Sequence, residues 1–206
     1  MPGYKNFPFP WNGSKLLERE YEKDNYRLIR TGSKTGRAII FFSSNGLYPN
    51  TEQEFTEIIT QNDRYEWENI ANDKRIMQYY ELIIFIRDIY KQWHITGINA
   101  KINTVEKIAD FLKNLTAGFE VTTCGSSSGG YAAVLFAHFL NAERFFSISG
   151  QFSIKHQISS ESPFVLMNAS NPAVNKYYDI SNLTQGGGGA ITSGLMNVKS
   201  ILLNMN

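Results

Sequence analysis

The chain has 206 residues, 42% of them hydrophobic and 19% charged, a size and balance that suit one α/β unit with a real core and leave little room for a second. A net charge of +1 supplies no field to draw a nucleic acid or an anionic membrane surface. Cys124 is the only cysteine, which excludes an internal disulfide or a thiolate metal cluster within one chain.

The first twenty residues hold Pro8, Pro10 and charged side chains but no apolar run of the signal-peptide kind. No uninterrupted apolar stretch approaches the roughly 20 residues that a bilayer crossing needs. The expectation is a cytoplasmic protein without membrane insertion. Residues 1–25 read as a polar lead-in with aromatic anchors at Tyr4, Phe7, Phe9 and Trp11. The first predicted strand is Arg37–Ser43, where Ala38-Ile39-Ile40-Phe41-Phe42 is apolar at consecutive positions. Such a run marks a strand buried on both faces, as in a parallel sheet. It ends in the turn-forming Ser43-Ser44-Asn45-Gly46, and a charged, helical or irregular stretch follows to about Asp73.

Glu81–Arg87 repeats the strand pattern with Leu82-Ile83-Ile84-Phe85-Ile86. Asn103–Leu115 reads as a helix capped by Thr104, with Val105, Ile108, Ala109, Leu112 and Leu115 at three- and four-residue spacing. Phe119–Cys124 is a third strand, Tyr131–Leu140 an apolar helix, Phe145–Ile148 a fourth strand and Phe164–Met167 a fifth. Strands alternating with helices predict an α/β fold with a parallel sheet. Past Gln185 come four consecutive glycines, Gly186 to Gly189, which impose no structure and lose much entropy on ordering. The expected organisation is therefore one domain over residues 1–185 and a glycine-rich, poorly defined tail over 186–206.

One motif carries chemistry. Gly125-Ser126-Ser127-Ser128-Gly129-Gly130 lies between a predicted strand and a predicted helix, and it fits the G-x-S-x-G elbow with Ser127 at its centre. A nucleophile held on a strained strand-to-helix corner needs small neighbours two positions away on each side, which Gly125 and Gly129 supply. The helix start aims its amides and positive dipole end at the same spot. An oxyanion formed there would take its first hydrogen bond from the Ser128 amide and its second from the loop holding Ser44 and Asn45. The alternative is a glycine-rich turn that permits close packing or cradles a phosphate. A Walker loop would need lysine where Tyr131 stands, and the dinucleotide fingerprint needs a glycine spacing that this segment lacks.

From about Ala38 to Phe152, the order of strands, helices, oxyanion-type loop and elbow resembles the α/β-hydrolase superfamily. Ile86-Arg87-Asp88 through Trp93 to Gly97, together with the elbow, resembles short bacterial hydrolase-like proteins associated with surface-polysaccharide synthesis. The resemblance implies a three-layer α/β/α sandwich with a mostly parallel central sheet. It also implies a serine hydrolase or acyltransferase working through a Ser127 ester, with a histidine base and a carboxylate to orient it. Its partner would be a small ester or glycan, such as an acylated sugar, and no cofactor or metal is called for. The competing reading is a non-catalytic hydrolase-like domain that binds a glycan or a protein.

The superfamily order is nucleophile, acid, histidine. Here the order breaks, because no histidine follows Asp179, the last acidic residue. His138 rides the helix away from the elbow and reads as structural, and His94 reads as a surface or packing residue. His156, following the fourth strand near the active edge of the sheet, is the best base in the chain. Asp179 and Asp88 compete as the orienting acid. A frame shift at a homopolymeric tract encoding the glycines would put the residues after about Gly189 out of frame and truncate the fold, a longer form then supplying the acid and histidine. Mixed glycine codons in the gene would exclude it.

Overall fold

The computed structural model describes residues 14–47, 51–155, 176–185 and 190–192. Its centre is a six-stranded sheet built from β1 (Tyr26–Arg30), β2 (Arg37–Phe42), β3 (Leu82–Ile86), β4 (Glu120–Ser126), β5 (Arg144–Ile148) and β6 (Ala190–Thr192), in the order β1-β3-β2-β4-β5-β6. β1 runs antiparallel to β3, and every other pairing is parallel. The helices are α1 (Lys15–Tyr21), α2 (Glu52–Phe55), α3 (Glu68–Ala71), α4 (Lys74–Tyr79), α5 (Val105–Leu115) and α6 (Ser128–Leu140). A π-helical turn over Thr56–Gln61 continues α2, and a 3-10 turn spans Ser181–Gln185.

The unbroken apolar runs do what their composition requires. Ala38, Ile40 and Phe42 of β2, with Ile84 and Ile86 of β3, join the core beneath α5 and α6. Ile39, Phe41, Ile83 and Phe85 face the other way, into a core with Tyr65, Ile76 and Tyr80. Alternate side chains of one strand leave opposite faces of the sheet, so both faces must be covered. The result is an α/β/α sandwich with a mostly parallel sheet.

The central elements lie within a few residues of their predicted bounds, and α5 starts where Thr104 caps it, the hydroxyl accepting from the Lys107 amide at 3.2 Å. Two boundaries move. β4 extends through Gly125 and Ser126, which pair with β5, while α6 begins at Ser128 instead of Tyr131. Glycine and serine look like a loop in sequence, yet here they finish a strand and start a helix with one residue between. β1 was not predicted, because Tyr26-Arg27-Leu28-Ile29-Arg30 is an edge strand with a partly exposed, mixed pattern. The predicted strand Phe164–Met167 lies outside the described residues. Among the described residues, no helix is long and apolar enough to cross a membrane.

Candidate active site

Ser127 is the single residue between β4 and α6, and it sits at φ 51°, ψ −118°. A side-chain-bearing residue reaches that region only under strain on the order of 1–3 kcal/mol, tolerated when the surroundings fix it. They do. The Ser127 amide donates to the Ile148 carbonyl at 2.9 Å, and its carbonyl accepts from the Tyr131 amide at 3.1 Å. A Cβ on Gly125 would stand 2.2 Å from the Gly129 carbonyl oxygen. One on Gly129 would stand 2.4 Å from the Phe42 carbonyl oxygen and 2.8 Å from that of Ser43. Both glycines are therefore required by backbone contact, as an elbow demands. The bend leaves Ser127 exposed while Ser128, Gly129 and Gly130 behind it are buried.

The loop after β2 meets this corner. The Asn45 amide donates to the Ser128 hydroxyl at 2.8 Å, and that hydroxyl donates to Asn45 Oδ1 at 3.0 Å. Asn45 and Ser128, two of the predicted oxyanion residues, are thus locked together at the elbow. Ser128 opens α6, whose first amides have no partner within the helix. Ser44 is held differently, because its amide and hydroxyl donate to the Glu66 carboxylate at 2.6 and 2.8 Å. Both predicted loop amides thus already have acceptors, so serving as an oxyanion donor would require the Ser128 hydroxyl to yield that of Asn45 or Glu66 that of Ser44.

The loop after β3 braces the same segment from inside. Asp88 is buried, and its carboxylate accepts from the amides of Tyr90 (3.1 Å), Gln92 (2.5 Å) and His94 (2.9 Å). This carboxylate shapes its own loop, where Lys91, Trp93 and His94 all have positive φ. The neighbouring Arg87 turns instead to Asp63, at 2.8 Å. The Asp88 amide donates to the Ser43 hydroxyl at 3.1 Å, and His94 Nε2 lies 3.1 Å from the Ser43 carbonyl oxygen. That contact requires a proton on Nε2, leaving Nδ1 as a bare acceptor without a hydrogen-bond partner. Burial pushes the His94 pKa below its ordinary value, so the ring is neutral and packs edge-on to Phe42. His94→Ala should cost about 2–4 kcal/mol in urea unfolding, through the cavity and the orphaned carbonyl.

His138 is exposed near the end of α6. His156 lies outside the described residues. Asp179 is described: it pairs across an antiparallel bridge with Ser153, accepts from the Ser181 amide (3.1 Å) and hydroxyl (2.8 Å), and meets Lys155 at 3.3 Å. The Ser181 hydrogen bonds and the Lys155 ammonium hold its carboxyl below the usual carboxylate range. Asp179 thus neighbours Lys155, the last described residue before position 156. Among the described residues, no side chain hydrogen-bonds to the Ser127 hydroxyl.

No family model matches the chain, and neither does any curated protein. Solved structures do. A protein of unknown function from Staphylococcus aureus subsp. aureus Mu50 superposes with a TM-score of 0.51 over 87% of this chain and 91% of its own, at 12% identity. The capsule O-acetyltransferase of Neisseria meningitidis serogroup A superposes with a TM-score of 0.53 over 84% and 85%, at 14% identity. Both are likenesses of fold, to a chain whose sheet is parallel except for one antiparallel edge strand. The fold is α/β-hydrolase-like. A lidless α/β serine hydrolase from Xanthomonas campestris aligns more loosely, with a TM-score of 0.42 over 87% and 85% at 9% identity.

Within this α/β-hydrolase-like fold, one site residue was not foreseen from sequence. Glu66 sits on the segment joining the π-helical turn to α3, between two residues of positive φ, Asp63 and Trp67. Beyond its two bonds from Ser44, it accepts from the Ser126 hydroxyl at 3.3 Å, so one carboxylate bridges the loop after β2 and the residue before Ser127. Sequence offers only a charged tract here. Among the described residues, no three His, Cys, Asp or Glu side chains gather as a metal ion would require.

Proposed function

We propose that the chain is a serine hydrolase or acyltransferase that acts on small esters through Ser127. The carrying observation is the backbone of Ser127, strained at positive φ, exposed, and enforced by glycines that no other residue could replace. In this reading, Ser127 Oγ attacks an ester carbonyl while its proton passes to a base. The tetrahedral oxyanion accepts from the Ser128 amide, the leaving alcohol takes a proton, and an acyl-serine remains. Water or a second hydroxyl then attacks the acyl carbon and frees Ser127. His156 is the proposed base and Asp179 the proposed acid, a pairing supported by the contact of Asp179 with Lys155. The likeness to a capsule O-acetyltransferase supports an acylated sugar as the substrate class.

The test is release of p-nitrophenolate from p-nitrophenyl acetate, with and without a monosaccharide acceptor. Release above buffer supports the hydrolase, and acetyl on the sugar supports transfer. A second reading, a hydrolase-like domain that binds a glycan without turnover, is favoured by the absence of a hydrogen-bonded base at Ser127 among the described residues. Folded protein that releases nothing yet is thermally stabilised by the glycan would establish it over the first.

A further inference from the structure

The segment Asp63–Trp67 is tied down with more force than a surface connection needs. The Tyr65 ring packs against two guanidinium groups, Arg27 at 4.6 Å and Arg87 at 4.4 Å from its centre. Asp63 receives both arginines, at 2.9 and 2.8 Å. Arg87 is 2% exposed and also donates to Asn25 Oδ1 at 3.0 Å, which fixes the pair against β1 and β3. Trp67 Nε1 donates to the Phe42 carbonyl at 3.1 Å, the same oxygen against which Gly129 is packed. Two positive-φ residues bracket the strap, each a local cost that the contacts must offset. What the strap delivers is Glu66, half-buried, onto Ser44 and Ser126.

A carboxylate so placed acts on the reacting centre through its charge. Ser126 adjoins Ser127, so the carboxylate stands roughly 6–10 Å from the nucleophilic hydroxyl. That is within a Debye length at ordinary salt. The two arginines that anchor the strap, Arg27 of β1 and Arg87 after β3, are paired with Asp63, and Arg27 also with Glu68. Among the described residues, the carboxylate is met only by neutral donors, the Ser44 amide and hydroxyl and the Ser126 hydroxyl. Its charge is therefore left to act on whatever enters beside Ser127.

On the reading of Ser127 as nucleophile, we propose that Glu66 is a specificity-determining residue that favours neutral or cationic acyl groups and repels anionic ones. A like charge at about 8 Å costs an anionic acyl group on the order of 2- to 30-fold in rate for effective dielectric constants between 80 and 20. The test compares labelling rates with two fluorophosphonates of equal length, one ending in methyl and one in carboxylate. In each, Ser127 Oγ bonds to phosphorus, fluoride leaves, and the hydroxyl proton goes to base or solvent. Wild type should prefer the neutral probe, Glu66→Gln should shrink that preference about fivefold, and Glu66→Asp, which keeps the charge, should retain it. Lower salt should widen the gap in wild type and not in Glu66→Gln. An unchanged preference in Glu66→Gln overturns the proposal while leaving the nucleophile intact. A parallel loss in Glu66→Gln and Glu66→Asp also overturns it, since disturbed packing would then suffice. Wild type that reacts with neither probe overturns the nucleophile reading itself.

Discussion

Gly129→Ala should unfold or severely destabilise the protein, by more than about 3 kcal/mol in urea unfolding. The added Cβ would lie 2.4 Å from the Phe42 carbonyl oxygen and 2.8 Å from that of Ser43, and both are main-chain atoms at the end of the central strand β2. No rotamer relieves a clash with backbone, so α6 would have to lift off the sheet. Because α6 carries Tyr131, Val134, Leu135 and Phe136 into the core, lifting it exposes far more than one methyl group. Gly118→Ala is the control, with nothing within 4 Å of its Cβ and φ at +84°. Only conformational strain applies there, about 1 kcal/mol. Equal losses in the two variants would show that the elbow packs less tightly than its contacts imply.

Ser127→Ala should leave stability nearly unchanged, since alanine carries the same Cβ on the same strained backbone, while reducing ester hydrolysis by about 10⁴-fold or more. The asymmetry follows from position. Ser127 is exposed, and among the described residues its hydroxyl bonds to nothing, so the side chain contributes little to the fold. The backbone geometry that holds it is set by Gly125, Gly129 and the Ile148 carbonyl, which the substitution does not touch. Residual turnover near that of wild type would assign the chemistry elsewhere.

How much of this was legible in sequence depends on the range of the forces involved. The strands Ala38–Phe42 and Leu82–Ile86 are apolar at every position, which in a sheet permits little besides burial on both faces. The elbow was legible for a similar reason, since glycine, serine and glycine at fixed spacing report a backbone constraint directly. Glu66 was not legible. Its role depends on a strap whose anchors, Arg27 and Arg87, come from β1 and the end of β3, far apart in sequence. The brace by which His94 holds Ser43 was hidden likewise, because an isolated histidine after a strand reads equally well as a surface residue. Its complete burial comes from the packing of the loop after β3, which no local pattern encodes.

Where a reactive phosphonate lands tests the role of Ser127 most directly. Folded protein incubated with a neutral fluorophosphonate, digested and mapped by mass spectrometry should carry the adduct on the peptide containing Ser127, with none in Ser127→Ala. An adduct confined to Ser126, Ser128 or a distant residue, or no adduct on folded wild-type protein, would contradict it.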